Sequence, residues 1–409
     1  MTTLAQVVLL LTLLAEPLLA LAVDLRPHLR APRRAVGHGR EAADDPRAAA
    51  DLTVVVPLDG DVRELDRLAW LHDEGARVLL VTTGAQGPAF HRRLWAVAGE
   101  HGFRVHVAGT RRQPGAAQRA RPGRTALLGD AHATLTSTYV VCVDPGTVIS
   151  SPLRQVVGAL AAAGLDVGTV TTAVAPHGLL ARVQRVEDEL AGRLRHRVPW
   201  LVRGGVHVAR RAAHADLLRR HTRFGAGDDA ELGVLGVARG LRVGHLDVAA
   251  TGRGARSARD WWAERLTEVA GVVRLSLLHP HLGVRRPSLH LLPAAGAFAL
   301  VPLLWWSVLH VPWVLVLVVV AHGALTAALT RGLRDPVAWL YPLYAVVRAF
   351  VLLPLGVLAY VVAAVRAGDA GTLRVRDPWW SADPADAPVV RRLPGPGPAR
   401  ATDWWAGRR

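Results

Sequence analysis

The stretch Thr138-Tyr-Val-Val-Cys-Val-Asp-Pro-Gly-Thr147 is the part of the chain from which the fold is best argued. Its apolar run from Tyr139 to Val143 is rich in β-branched residues and ends at a Pro-Gly turn, which predicts a buried strand that stops at Asp144. A strand that is apolar throughout is typical of the middle of a parallel sheet with both faces covered. Ligands of open α/β sheets bind at the carboxyl ends of such strands. Asp144 is therefore placed to meet a cation, a ribose or a phosphate-bound metal, although Asp-Pro-Gly is also an ordinary turn sequence.

Strand and helix patterns alternate on both sides of this stretch. Strands are predicted at residues 52–57, 77–81, 103–107 and 166–174, and helices at 62–74, 88–101, 124–137 and 152–164. This alternation predicts a doubly wound, largely parallel α/β sheet. The pattern loosens afterwards, with helices predicted at 177–197, 228–240 and 260–278 and short strands at 204–209 and 242–248.

Composition limits the classes of partner. The chain has 409 residues, a formal net charge of +16 and one cysteine, Cys142. A positive charge of this size suits nucleic acid or an anionic membrane surface, but long apolar stretches and the lack of a basic helix with interleaved aromatics argue against nucleic acid. Cys142 lies inside the apolar strand and is predicted to be a small buried hydrophobe, which excludes a disulfide and a cysteine–metal site. The histidines show no metal-ligand spacing, so no histidine metal site is predicted.

Apolar segments flank the α/β region and indicate a membrane protein. Residues 1–23 are predicted to form a transmembrane helix, with a cleaved signal peptide as the alternative because Ala20-Leu21-Ala22 resembles a cleavage site. The arginines that follow make 24–50 a basic linker and place the next domain, 51–256, in the cytoplasm. Residues 257–290 are expected to form an amphipathic helix at the membrane surface. Residues 291–365 are expected to hold two to four membrane segments, and 366–409 form a tail rich in Arg, Pro and Trp. These features predict a multi-pass protein of the plasma membrane.

Four short motifs, in a consistent order, carry a resemblance to a known family. They are Val54-Val-Val-Pro57, Arg121-Pro-Gly-Arg124-Thr-Ala-Leu-Leu128, Val141-Cys-Val-Asp-Pro-Gly-Thr147 and Gly227-Asp-Asp-Ala-Glu-Leu232. The last two resemble the Asp-x-Asp and Glu-Asp-x-x-Leu motifs of the family-2 glycosyltransferases. Over residues 52–280 the chain is similar to membrane-anchored members of that family, such as ceramide glucosyltransferase and the polysaccharide synthases.

The resemblance implies a fold, a reaction and a set of site residues. It implies a GT-A fold, the Rossmann-like sheet of nucleotide-diphospho-sugar transferases, and inverting transfer from a nucleotide sugar to a lipid or glycan acceptor at the membrane. A divalent metal, Mn²⁺ or Mg²⁺, would be held by Asp144, and Asp229 would be the general base. The donor or nucleotide residues implied are Pro57, Asp59, Thr82, Arg124, Asp144 and Gly146. The acceptor or diphosphate residues implied are Gly205, Asp228, Arg259, Trp261, Trp262 and Arg265.

The sequence departs from the family pattern at two acidic positions. Thr82 stands where the family has an aspartate that holds the base, and Gly146 replaces the second acid of Asp-x-Asp. Asp229 is also well placed to be only a helix cap. Trp261 and Trp262 are equally typical of a membrane interface. A non-catalytic scaffold or binding module for envelope glycan synthesis, with a degenerate glycosyltransferase fold, is therefore the alternative function.

Overall fold

The fold is described from a computed structural model. The residues that it describes are 51–58, 61–108, 124–175, 178–195, 205–221, 227–255, 257–278 and 335–366, with a few single positions between 306 and 324. The predicted N-terminal transmembrane helix, the basic linker, the tail and nearly all of 279–334 lie outside the described residues, as does Asp59.

A single eight-stranded sheet forms the centre of the molecule. Its strands are β1 (Leu52–Pro57), β2 (Arg77–Thr83), β3 (Arg104–Ala108), β4 (Tyr139–Val143), β5 (Val148–Ile149), β6 (Val167–Val174), β7 (Val206–Arg210) and β8 (Val243–Gly252). Their order in the sheet is β3-β2-β1-β4-β7-β6-β8-β5. The pairs β3–β2, β2–β1, β1–β4 and β6–β8 are parallel. Strand β7 is antiparallel to both of its neighbours, and β5 is antiparallel to β8. The sheet is therefore mixed, with a parallel half that holds β1 and β4.

Helices cover both faces of this sheet. They are α1 (Val62–Leu65), α2 (Trp70–Asp73), α3 (Pro88–His101), α4 (Arg124–His132), α5 (Leu153–Ala162), α6 (Leu179–Arg195), α7 (Arg211–Arg220), α8 (Asp228–Ala238) and α9 (Ala258–Leu278). Alternate residues of β4 contact opposite sides. Val141 and Val143 pack with α1, α2, α3 and α5, whereas Val140 and Cys142 pack with α4, α7 and α8. The buried central strand that the sequence predicts is thus confirmed, with all five of its residues buried.

The structure changes three details of the predicted pattern. The helix expected at 62–74 is two short helical turns, α1 and α2. The helix expected at 124–137 ends at His132, because the chain must straighten before it enters β4. Helix α7 was not predicted; it follows β7 directly and covers the same face of the sheet as α4.

A helical C-terminal segment packs against α6 and α9. It runs as a 3₁₀ turn (Pro336–Leu340), α10 (Tyr341–Val347), a π-helical turn (Arg348–Leu352) and α11 (Leu353–Arg366). Glu187 of α6 lies at this junction and accepts hydrogen bonds from Arg265, Tyr344 and Arg348. None of the helices in the described parts of the chain combines the length and the apolarity that crossing a bilayer requires.

Candidate functional site

The end of β4 is fixed to the start of β7 by a reciprocal pair of hydrogen bonds. The Asp144 amide donates to the Gly205 carbonyl at 2.8 Å, and the Gly205 amide donates to Asp144 Oδ2 at 2.9 Å. Gly205 has a φ of +109°, and a Cβ there would lie 2.7 Å from Thr172 Oγ1, so only glycine fits without strain. Gly146 turns the chain just beyond Asp144 with a φ of +83°. Two predicted site residues, Asp144 and Gly205, are therefore brought together directly.

Arg124 joins two acids that are distant in sequence. Its Nε donates to Asp144 Oδ1 and its NH1 donates to Asp229 Oδ1, in two short contacts. The side chains of Arg124, Asp144 and Asp229 are 16%, 27% and 12% exposed. Arg124 NH2 is buried and has no hydrogen-bond partner among the described residues. We call these three residues the Arg124 clamp; it lies at the carboxyl end of β4, where the sequence placed the site.

The clamp shifts the pKa values of its members. Burial raises the pKa of Asp229 to about 8, although the Arg124 guanidinium opposes the shift; the nearby Asp228 and Asp144 carboxylates add to it. Burial alone would lower the pKa of Arg124, but Asp144, Asp229 and Asp228 raise it well above its ordinary value. Arg124 is therefore a permanent cation, while Asp229 can exchange a proton near neutral pH.

Asp228 has a positioning role at the start of α8. Its Oδ2 accepts from Thr125 Oγ1 at 2.9 Å, its Oδ1 accepts from the Asp229 amide at 2.9 Å, and its carbonyl oxygen lies 2.7 Å from His221 Nε2. These bonds connect the first residue of α8 to α4, so that Asp229 faces Arg124. The N-cap residue of α8 is Gly227, with no side-chain cap bond, and the Asp229 carboxylate is turned toward Arg124.

Helix α8 is itself locked against α9. Glu231 Oε2 accepts from both terminal nitrogens of Arg274 at 3.1 Å, and both side chains are 1% exposed. Gly227, with a φ of +75°, lies so close to α9 that a Cβ would be 2.9 Å from the Gly271 Cα. The start of α8, and with it Asp229, is therefore set by contact with α9.

The remaining predicted residues are divided between the sheet and the C-terminal junction. Pro57 ends β1, and Thr82 is buried at the end of β2, where its Oγ1 donates to the Leu58 carbonyl at 3.3 Å. Arg265 forms ion pairs with Glu187 at 2.7 Å and Glu268 at 2.6 Å.

The two tryptophans and Arg259 differ in exposure. Trp261 is buried, with its ring centroid 5.9 Å from that of Tyr344. Trp262 is half-buried and Arg259 is exposed. Trp261 therefore contacts a C-terminal helix, and Arg265 pairs with acids of α6 and α9. Arg259 and Trp262 keep solvent-exposed surface.

Sequence reasoning missed a buried thiol–imidazole group. Cys142, His207 and His214 each offer one ligand atom, and these atoms all lie within 4.8 Å of one another. This corrects the prediction that a cysteine–metal site is excluded and that the histidines lack a ligand arrangement. Cys142 and His207 are direct cross-strand partners in the β4–β7 pair, and α7 brings His214 over them. Sequence reasoning could not find this group, because it depends on the β4–β7 pairing and on α7, neither of which the sequence predicted. Burial lowers the pKa of His207 and His214 well below the ordinary value, so both rings are neutral.

Comparison with known proteins gives only distant likenesses. No protein-family model matches the chain, and no curated protein matches it. A solved structure of glucosyl-3-phosphoglycerate synthase from Mycobacterium tuberculosis, in complex with Mn²⁺, UDP and glucosyl-3-phosphoglycerate, is similar over 59% of this chain and 84% of that one, with 16% identity and a TM-score of 0.39. The same enzyme with Mn²⁺, UDP-glucose and phosphoglyceric acid gives 18% identity over 59% and 83%, with a TM-score of 0.37. A mycobacterial protein gives 17% identity over 60% and 79%, also with a TM-score of 0.37. Likenesses of this size assign neither a family nor a ligand, so a function has to be argued from the Arg124 clamp itself.

Proposed function

We propose that the chain is a GT-A type glycosyltransferase that transfers a sugar from a nucleotide sugar to an acceptor hydroxyl with inversion. The observation that carries this proposal is the Arg124 clamp. Asp144 and Asp229, which belong to two separate motifs of the resemblance, share one guanidinium at the carboxyl end of β4. Carboxylates on opposite faces of the sheet would have argued against an enzyme.

Arg124 is the residue we assign to the donor's diphosphate. A guanidinium binds two oxygens of a phosphate with parallel hydrogen bonds, as it binds a carboxylate. Its NH2 has no partner among the described residues and is free to donate. We infer that a bound diphosphate takes over part of the guanidinium that Asp144 and Asp229 now share. Pro57, Thr82 and Gly146 would line the nucleotide side of the site. Asp59, which the resemblance assigns to the same role, lies outside the described residues.

Asp229 is the residue we assign as general base. In a single displacement, the acceptor oxygen bonds to the anomeric carbon while the bond from that carbon to the diphosphate oxygen breaks. The hydroxyl proton passes to Asp229, and the nucleoside diphosphate leaves with the bonding electrons. A carboxylate whose pKa burial raises to about 8 is matched to this proton transfer near neutral pH.

Asp144 is the residue that would hold a divalent ion. Both of its oxygens are engaged, by Arg124 and by the Gly205 amide, and Gly146 offers no side-chain ligand. Asp144 would therefore be the one protein carboxylate to hold such an ion, and it would have to share its oxygens with Arg124 and the Gly205 amide. When bound there, Mn²⁺ or Mg²⁺ would neutralise charge on the leaving diphosphate.

We also propose that the acceptor is a lipid or glycan at the plasma membrane, because the C-terminal helices have an exposed apolar surface. The C-terminal helices expose large apolar side chains, namely Trp339, Leu340, Leu343, Leu355, Leu358 and Val365. Such a surface suits lipid contact by a domain that faces the cytoplasm. Gly205, Asp228, Arg259 and Trp262 are proposed on the acceptor side, where Trp261 and Arg265 would support them through α9.

The competing function is a non-catalytic scaffold or binding module. Two features favour it: the acids absent at Thr82 and Gly146, and the neutralisation of both remaining acids by Arg124. In that case the clamp would be a structural ion-pair group that holds α4, β4 and α8 together.

Turnover separates the two functions. Purified full-length protein in detergent is incubated with a panel of nucleotide sugars, with Mn²⁺, Mg²⁺ or a chelator, and nucleotide release is measured. We expect release with one donor class. Asp229→Asn should slow it about 100- to 10,000-fold, the usual contribution of a general base. Asp216→Asn, which alters a surface acid of α7 paired with Arg219, Arg220 and Arg239, is the matched control. Equal release by Asp229→Asn, or no release with any donor by a folded protein that has acceptor lipids present, would favour the scaffold.

A further inference from the structure

A buried group of one thiol and three imidazoles lies next to the Arg124 clamp. Cys142 is on β4, two residues before Asp144, and His207 is its cross-strand partner on β7. His214 comes from α7, and His132 ends α4. All four side chains are buried. The three rings are hydrogen-bonded in a row, from His132 to His214 to His207. Within the described residues, His207 Nδ1 is the atom of the group that is buried without a hydrogen-bond partner, which is costly.

The ligand atoms already stand near tetrahedral spacing. His207 Nε2 and His214 Nε2 are 3.1 Å apart, and Cys142 Sγ is 4.0 Å from His214 Nε2. Zinc binds imidazole nitrogen at about 2.0–2.1 Å and thiolate sulfur at about 2.3 Å, so neighbouring ligands around it are about 3.3 Å (N and N) and 3.6 Å (N and S) apart. All three ligand atoms lie within 4.8 Å of one another, so shifts of up to about 1 Å would bring them onto one ion.

The opposite nitrogen of each ring faces a suitable outer partner. His214 Nδ1 lies 3.0 Å from His132 Nε2. His207 Nδ1 lies 3.9 Å from Asp229 Oδ1 and has no hydrogen bond among the described residues. Metal-bound histidines generally donate their second ring N–H to a carboxylate or another acceptor, which fixes the tautomer. Here the Nε2 atoms of His207 and His214 face each other, His214 Nε2 faces Cys142 Sγ, and the two Nδ1 atoms face His132 and Asp229.

We propose that Cys142, His207 and His214 bind one Zn²⁺ ion, with His132 and Asp229 as outer partners. The thiol proton is released to solvent when sulfur bonds to the ion, and nothing is oxidised or reduced. This site shares no ligand with the divalent ion proposed at Asp144, and soft thiolate with imidazole selects zinc over Mg²⁺. Three protein ligands leave one position of a tetrahedral zinc ion open. The ion would tie β4, β7 and α7 together and hold His207 against Asp229. The proposal does not depend on the glycosyltransferase assignment.

Metal content and cobalt spectroscopy test the site. The full chain is purified without chelators, and zinc is counted by inductively coupled plasma mass spectrometry. We expect about one zinc per chain, and X-ray absorption should give two nitrogen ligands and one sulfur ligand at the distances above. Replacement by Co²⁺ should produce a thiolate-to-cobalt charge-transfer band. Asp144→Asn should retain both the bound zinc and the cobalt charge-transfer band.

Variants assign the ligands. Cys142→Ser should abolish the charge-transfer band, and His132→Phe should weaken metal affinity about 10- to 100-fold, as loss of an outer partner does. His106→Asn alters a buried histidine bonded to Asp130 outside the group and should change neither signal. If Cys142→Ser fails to fold, the X-ray absorption spectrum of the wild-type protein still shows whether sulfur is a zinc ligand. Wild-type protein with no stoichiometric zinc and no cobalt band, or zinc without a sulfur ligand, would overturn the proposal.

Discussion

Arg124 is the residue on which the site depends. A guanidinium has donors in a planar fork, and here two edges of that fork serve two different carboxylates. Lysine could pair with either acid but offers no fork to bridge both. The geometry thus gives a reason for arginine at this position, because one side chain joins Asp144 to the proposed base.

Gly205 sets the distance between Asp144 and β7, and its replacement should be costly. Gly205→Ala combines a positive φ with a Cβ that would lie 2.7 Å from Thr172 Oγ1. We expect a loss of about 2–4 kcal/mol in the free energy of unfolding, of which roughly 1 kcal/mol is the left-handed backbone. Urea denaturation measures it.

Gly75→Ala is the matched control for that change. Gly75 has a φ of +62°, and a Cβ there would meet nothing within 4 Å, so only the backbone cost of about 1 kcal/mol should be seen. The double variant Gly205→Ala/Thr172→Ala should recover the part of the stability loss that comes from the clash with Thr172. Equal losses at the two glycines would contradict a close approach between Gly205 and β6.

At the scale of elements, the buried pair Glu231–Arg274 holds α8 on α9. Both terminal nitrogens of the buried Arg274 donate to Glu231, so Glu231→Gln should lower the free energy of unfolding by about 3–5 kcal/mol, the usual cost of removing one partner of a buried ion pair. Glu189→Gln, which removes a partly exposed i,i+4 pair with Arg185 on α6, should cost under about 1 kcal/mol. Chemical denaturation of both variants is the measurement, and similar small losses would mean that the α8–α9 contact is held by packing alone.

Elements with strong local signals could be predicted from the sequence. Helix α3 begins at Pro88 and ends before Gly102, whose φ is +69°, and both bounds agree with the predicted 88–101. The two-residue strand β5 and the antiparallel direction of β7 were not predictable, because both depend on partners far along the chain. Helix α7 was missed because its ten residues carry five charged or imidazole side chains, Arg211, His214, Asp216, Arg219 and Arg220, and little apolar periodicity.

At the scale of the whole molecule, the site could be predicted only in part. The family resemblance named Asp144, Arg124, Asp228 and Asp229 as site residues, and the structure brings these four side chains together at the carboxyl end of β4. The sequence could not show that one guanidinium joins two of these acids, nor that Cys142 meets two histidines. Both facts depend on the β4–β7 pairing and on how α4, α7 and α8 pack on it.

The measurement that tests the central claim most directly is nucleotide binding by the clamp. Isothermal titration with UDP, GDP and their sugars, with Mn²⁺ and with chelator, is run on wild-type protein, Arg124→Lys, Asp144→Asn and the control Arg219→Lys. The account predicts that one nucleotide class binds the wild type and the control alike. Arg124→Lys should bind it at least about 10-fold more weakly, a loss of about 1.4 kcal/mol, because the fork to the diphosphate is gone. Asp144→Asn should lose the part of the affinity that depends on metal. Equal affinity in wild type and Arg124→Lys, or no binding of any nucleotide by folded protein, would contradict it.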